Sequence, residues 1–182
     1  MSRITIPTIE QSSAATKPLL DAVHKQLGVV PNLMKVVGHS PAALEGYLAL
    51  NGGLAKGDLS VQLRERIALA VAEFNGCEYC LAAHTYLGQN VARLDASEIA
   101  LARNGQSDDT RTQAALQFAL AVAGKRGQVT DSDVATLRTA GFSEADVIEI
   151  VANVALNVLT NYINNVAQTT VDFPKVELKR AA

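Results

Sequence analysis

A chain of 182 residues with 48% hydrophobic residues has material for one domain around one core. Its net charge of −2, pI near 5.9 and scattered basic residues exclude the electrostatic footprint of a nucleic-acid binder. Aromatic residues are only 4% and Trp is absent, so Ala, Leu and Val must build the core, a composition suited to closely packed helices.

The N-terminus, MSRITIPTIEQSS, lacks the charged start and apolar run of a secretory signal. Uninterrupted apolar runs stay well short of the roughly 18 residues a membrane span needs. The default placement is therefore cytoplasmic, with no membrane partner. Apolar residues recur at helical spacing almost throughout, and no segment alternates as a strand does, which predicts an all-α fold. A first helix is expected from Ser12–Ser13 with Leu19, Leu20, Val23 and Leu27 on one face and Gly28 as its stop. Pro31 fits the first turn of a short helix over 32–37. Ser40–Pro41 opens the next, ended at Gly52–Gly53 or at Gly57. Ser60 starts a central helix whose core stripe is Leu63, Ile67, Ala70, Val71 and Phe74, stopped by Asn75–Gly76. Another begins at or near Cys77 and runs toward Gln89. Asp95 caps a helix over 96–103, Thr110 to Ala123 form the next, and Thr130 caps one closed at Gly141. Ser143 begins a long last helix through Val151 and Leu159, with a break near Thr160 and ordered structure ending about Pro174. The ordered part is thus about 8–175 of a single domain spanning 1–182. The only basic cluster, Lys179–Arg180, reads as a solvated tail. The spacing of Glu65, Cys77, Cys80 and His84 recurs in Glu149, Asn161, Asn164 and Gln168, a weak echo that suggests a second helical pair without the reactive groups.

The chemistry-bearing pattern lies within residues 60–90: Glu65, Cys77, Cys80 and His84. Two cysteines three apart in a reducing compartment are catalytic or metal-binding more often than structural. On a helix that separation places the Cα atoms about 5 Å apart, within the range of about 4.4–6.8 Å for an unstrained disulfide. The pair can then open and close with little backbone movement. His84 follows Cys80 by one turn on the same face. Glu65 can reach the cysteine turn if its helix packs antiparallel to the next. A thiolate, not a thiol, attacks peroxide, and both a helix N-terminus and an imidazole favour the thiolate. A carboxylate facing that imidazole can orient it or pass protons. The sulfenic acid formed needs a second thiol close by to resolve it. Rival readings stay open: inert core thiols, a zinc site using Cys77, Cys80 and His84 with a fourth ligand missing, and Glu65 as a surface ion-pair residue beside Arg64 and Arg66. Tyr79 and Tyr86 read as wall or packing residues.

The run from Arg64 to His84, RERIALAVAEFNGCEYCLAAH, closely resembles the core of the AhpD-like, or carboxymuconolactone decarboxylase, superfamily. Pro31-Asn32-Leu33-Met34, Asn161-Tyr162-Ile163-Asn164-Asn165 and Asp172-Phe173-Pro174 resemble its peroxidase-related members, so the likeness spans about residues 20–175. The resemblance implies an all-α fold with a helical repeat, assembled as trimers, hexamers or related homo-oligomers. It implies reduction of a hydroperoxide through a dithiol; the favoured reading takes no prosthetic group, and the unfilled fourth ligand position speaks against a metal. By the family pattern, Cys80 attacks the peroxide, Cys77 resolves, and Glu65 and His84 form the proton relay. A dithiol, in some members carried by a lipoylated partner protein, re-reduces the pair. The best-studied peroxidases of the family carry a second histidine just before the second cysteine; here that place is Tyr79, which implies a shorter relay. The decarboxylase branch typically lacks the paired cysteines. The alternatives to a peroxidase are a non-catalytic oligomeric redox sensor using the same disulfide, or a lyase of the decarboxylase branch.

Overall fold

Polar residues at the predicted helix starts do the capping expected of them. Ser40, Ser60 and Asp109 each accept the backbone N–H three residues on. Asp95, Thr130 and Ser143 form full capping boxes with Glu98, Asp133 and Asp146. Each such cap is typically worth ~1 kcal/mol. The structure is a computed structural model that describes residues 2–179. Arg180 of the basic tail lies outside the described residues. Among them there are nine helices and no strand: α1 (Lys17–Leu27), α2 (Asn32–Val37), α3 (Pro41–Leu54), α4 (Val61–Phe74), α5 (Glu78–Asn90), α6 (Ala96–Ala102), α7 (Thr110–Gly124), α8 (Asp131–Thr139) and α9 (Glu144–Ala167). The fold is all-α.

The differences from the sequence-based expectations have local causes. Helix α1 starts at Lys17, not at Ser12–Ser13, because Pro18 sits in its first turn. A proline ring clashes with the carbonyl four residues earlier and offers no N–H, so the helix cannot extend back. Leu27, expected on the buried face, is 50% exposed at the helix end. Helix α3 runs through Gly52 and Gly53 to Leu54, since neither adopts the positive φ of a helix stop. Phe74 closes α4 beyond the core and is 55% exposed, its ring lying against Gly124. Helix α9 does not break at Thr160, whose hydroxyl donates back to the Leu156 and Asn157 carbonyls. Glu149 through Gln168 therefore lie along one helix and its cap, so the echo is not a second copy of the α4–α5 pair. The ends are held as well. Arg3 donates its N–H to the Ala167 carbonyl, and beyond Pro174 the Lys179 N–H bonds Glu73.

Helix α4 is the hub, packing against α5, α6, α7 and α9. Every residue from Ile67 to Ala72 is buried; its alanines (Ala68, Ala70, Ala72) let neighbouring backbones approach closely. Helix α9 is long and apolar enough, by length and composition, to cross a membrane, yet half of that window is buried inside the protein. It behaves as a core helix. Its inner face carries an unusual polar series, Asn153, Asn157, Asn161 and Asn164, all buried.

Candidate active site

The site grows from the corner between α4 and α5. Asn75 and Gly76 end α4, and Gly76 takes a left-handed φ of 62°, which costs glycine little. Cys77 is then the N-cap of α5, and its Sγ accepts the Cys80 N–H at 3.2 Å. A cysteine thus fills the place that Ser, Thr or Asp fills at other helices. A helix N-terminus stabilises negative charge, here on sulfur. Cys77 and Cys80 are joined as a disulfide with Cα atoms 5.3 Å apart, close to the spacing expected from the sequence. Both are buried.

One turn on, His84 meets α4. Its Nδ1 lies 2.8 Å from Glu65 Oε2, and the two side chains are 22% and 16% exposed. Glu65 reaches the imidazole rather than the cysteine turn itself. Its neighbours on α4 do not claim it: Arg64 donates to the Leu54 carbonyl and Arg66 pairs with Glu98. A cavity of about 180 Å³ opens beside the pair, lined among others by Tyr47, Arg64, Asn153 and Asn157. Burial, and then the Glu65 charge, push the Tyr47 hydroxyl up to about 12. Near neutral pH it is a phenol, able to donate into the cavity. Among the described residues no three His, Cys, Asp or Glu side chains gather as metal ligands would, and no hydrogen bond joins His84 to either sulfur.

Two residues of the site were not assigned to it from the sequence. The first is Asn164 of α9, whose Nδ2 donates to Cys80 Sγ at 3.2 Å. Its signal was its place in the Asn-rich α9 segment and in the 149–168 echo. The second is Tyr79, more than a wall residue. Its hydroxyl donates to Asp172 Oδ1 at 2.7 Å and accepts the Leu33 N–H at 3.1 Å. Asp172 Oδ2 in turn accepts the Asn32 N–H at 2.8 Å, and Phe173 stands edge-on to the Tyr79 ring at 5.8 Å. Burial raises the Tyr79 phenol further above its ordinary value. Three separate segments, Pro31–Met34, Cys77–Cys80 and Asp172–Pro174, are thereby knitted together. The side chain in the place of the family's second histidine is held by Leu33 and Asp172, and makes no hydrogen bond to the Glu65–His84 pair. Tyr86 is exposed, and its ring lies tilted against Phe173 with centroids 5.9 Å apart. Replacing Tyr79 by Phe should destabilise the protein by about 1–3 kcal/mol, since it orphans the buried Leu33 N–H. Urea unfolding of the variant checks this; an unchanged midpoint would reduce the bridge to packing.

The fold and the corner define an all-helical protein with a CxxC disulfide and an adjacent carboxylate–imidazole pair. The sequence profile of the Carboxymuconolactone decarboxylase family matches residues 41–123. No curated protein matches. Among solved structures, an uncharacterized peroxidase-related protein from Ralstonia eutropha JMP134, described as an alkylhydroperoxidase AhpD core, shares 27% identity over 94% of this chain and 92% of its own, with a TM-score of 0.83. A peroxidase-related protein from Silicibacter sp. TM1040 shares 23% over 93% and 91%, TM-score 0.81. The debrominase Bmp8, in complex with 2,3,4-tribromopyrrole, shares 21% over 87% and 86%, TM-score 0.73. The last two likenesses speak for the fold alone. Residues 41–123 thus carry the carboxymuconolactone decarboxylase family pattern, and the whole chain is similar in fold to the AhpD core structure.

Proposed function

We propose that this protein is a thiol-dependent hydroperoxidase working through Cys77 and Cys80. The observation that carries the reading is the redox-spaced disulfide at a helix N-terminus with the Glu65–His84 pair one turn on. The Cys80 thiolate attacks a peroxide oxygen. The O–O bond breaks, the sulfur becomes a sulfenic acid, and the departing alkoxide takes a proton from the His84 imidazolium to leave as the alcohol. The Cys77 thiol then condenses with the sulfenic acid, forming the S–S bond and releasing water. An external dithiol reduces that disulfide and is itself oxidised to a disulfide. Glu65 orients the imidazole and stabilises its charged form, and both side chains line the adjoining cavity. No prosthetic group or metal takes part.

Steady-state turnover of a hydroperoxide with excess dithiol tests the reading. If reduced protein reacts once and is not recycled by any of several dithiols, a redox sensor using the same disulfide becomes the better account.

The protein should also assemble as a symmetric homo-oligomer. The outward face of α9 presents Ile148, Val151, Leu159, Tyr162 and Val166, all exposed and at helical spacing. A continuous apolar stripe of this kind fits a second copy of the chain. Light scattering should give a multimer that Leu159→Glu dissociates; a strict monomer at micromolar concentration would refute the assembly.

A further inference from the structure

We infer that Asn164 is a positioning residue for Cys80, holding that sulfur's negative charge when the pair is reduced. The inference rests on the dithiol reading above and names what makes the two sulfurs unequal. Among the described residues, Asn164 is the one side chain hydrogen-bonded to either sulfur.

Its behaviour differs from that of the other asparagines on the same buried face. Asn153 and Asn157 donate back along α9 to the carbonyls of Glu149 and Asn153, the usual resort of a polar side chain within a helix. Asn164 instead reaches across to α5. Its Oδ1 is buried with no partner, so the carboxamide gives up one hydrogen bond while its N–H stays on sulfur. Asn161 and Asn165 fix the register: Asn161 Oδ1 accepts from Asn75 Nδ2 at 2.9 Å, and Asn165 Nδ2 donates to the Asn75 carbonyl at 3.0 Å. Together they pin α9 to the corner from which the CxxC turn starts.

Cys77, as N-cap, receives a backbone N–H from its own helix. Cys80 lies inside the first turn and gives its own N–H to Cys77 Sγ, while among the described residues no backbone N–H reaches the Cys80 sulfur; the donor there comes from α9. The charged and titratable surroundings leave this amide unrivalled as a contact. On α5 and its N-cap these are Cys77, Glu78, Tyr79 (its hydroxyl engaged by Asp172 and Leu33), His84 and the exposed Tyr86. On α4, Glu65 is held by His84; on α6, Glu98 pairs with Arg66. The charged residues of α9 are confined to Glu144, Asp146 and Glu149 at its start, and Asp172 is engaged by Tyr79 and Asn32.

The test is a thiolate titration, by ultraviolet absorbance, of Cys77→Ser protein, in which Cys80 is the lone thiol. Adding Asn164→Leu, close in size but without a donor, should raise the Cys80 pKa by about one unit or more, as loss of a hydrogen bond to a charged group implies. Asn164→Asp should raise it as well, by placing a carboxylate against the thiolate. In Cys80→Ser protein the same Asn164→Leu change should leave the Cys77 pKa in place. An unmoved Cys80 pKa, or an equal rise at both thiols, overturns the assignment. If the leucine variant does not fold, the aspartate variant decides alone, and an unmoved pKa there has the same force. The titration uses no peroxide, so its failure and a failure of peroxidase turnover are separate results.

Discussion

Cys80→Ser protein should not react with hydroperoxide at all, whereas Cys77→Ser protein should consume one equivalent and stop as a sulfenic acid. Two electrostatic arguments compete here. Cys77 is the N-cap of α5 and its sulfur already accepts an N–H, which favours Cys77 as the lower-pKa thiol. The helix-terminus contribution is typically ~0.3–1 kcal/mol and fades within a turn. Cys80 has the Asn164 amide, and a hydrogen bond to a charged group is typically worth ~1.5–3 kcal/mol. It also lies one turn from His84, which pairs with Glu65 through Nδ1 and whose Nε2 makes no hydrogen bond among the described residues. The balance favours Cys80 as the attacking sulfur, and the serine variants read it directly. A mass increase of one oxygen, or trapping by dimedone, should be found in Cys77→Ser and be absent from Cys80→Ser. The opposite pattern would make Cys77 the nucleophile and leave the histidine serving the resolving thiol.

What the sequence disclosed depended on how local the governing physics was. Helix starts were legible because a cap is a contact three residues long; Ser60, Asp95 and Ser143 each do what their spacing implied. The cysteine geometry was legible for the same reason, the 5.3 Å Cα separation following from one helical turn. The meeting of Glu65 and His84 needed one further assumption, that α4 and α5 fold back on each other, and the Asn75–Gly76 corner supplies it. Asn164 and the Tyr79–Asp172 bridge were not legible as site contacts, because they join positions far apart in the chain through tertiary packing. Phe74 went wrong in the opposite sense: periodicity placed it on the core stripe, but α4 runs two residues past its last buried position, Ala72. The stop of α3 stayed open between Gly52–Gly53 and Gly57 because the sequence does not say whether a glycine will use its positive-φ freedom, and Gly52 and Gly53 do not.

Glu65→Gln should slow peroxide reduction by about 10²–10⁴-fold, the usual range for general acid–base assistance, while the fold stays intact. Glu65 and His84 are partly buried, so a carboxylate 2.8 Å from Nδ1 is incompletely screened. The glutamine carbonyl can still accept the Nδ1–H, which preserves the ring's orientation. It cannot stabilise the imidazolium that must form before His84 can protonate a departing alkoxide. The loss should therefore fall on the rate of sulfenic acid formation rather than on unfolding. Stopped-flow oxidation of the reduced variant, set beside its circular dichroism and urea midpoint, separates the two. Glu65 makes no ion pair with Arg64 or Arg66, whose partners are the Leu54 carbonyl and Glu98. Removing its charge should thus leave the rest of the α4 surface network in place. A rate equal to wild type at neutral pH would show that Glu65 only holds the ring in position, and that the proton reaches the leaving oxygen from solvent.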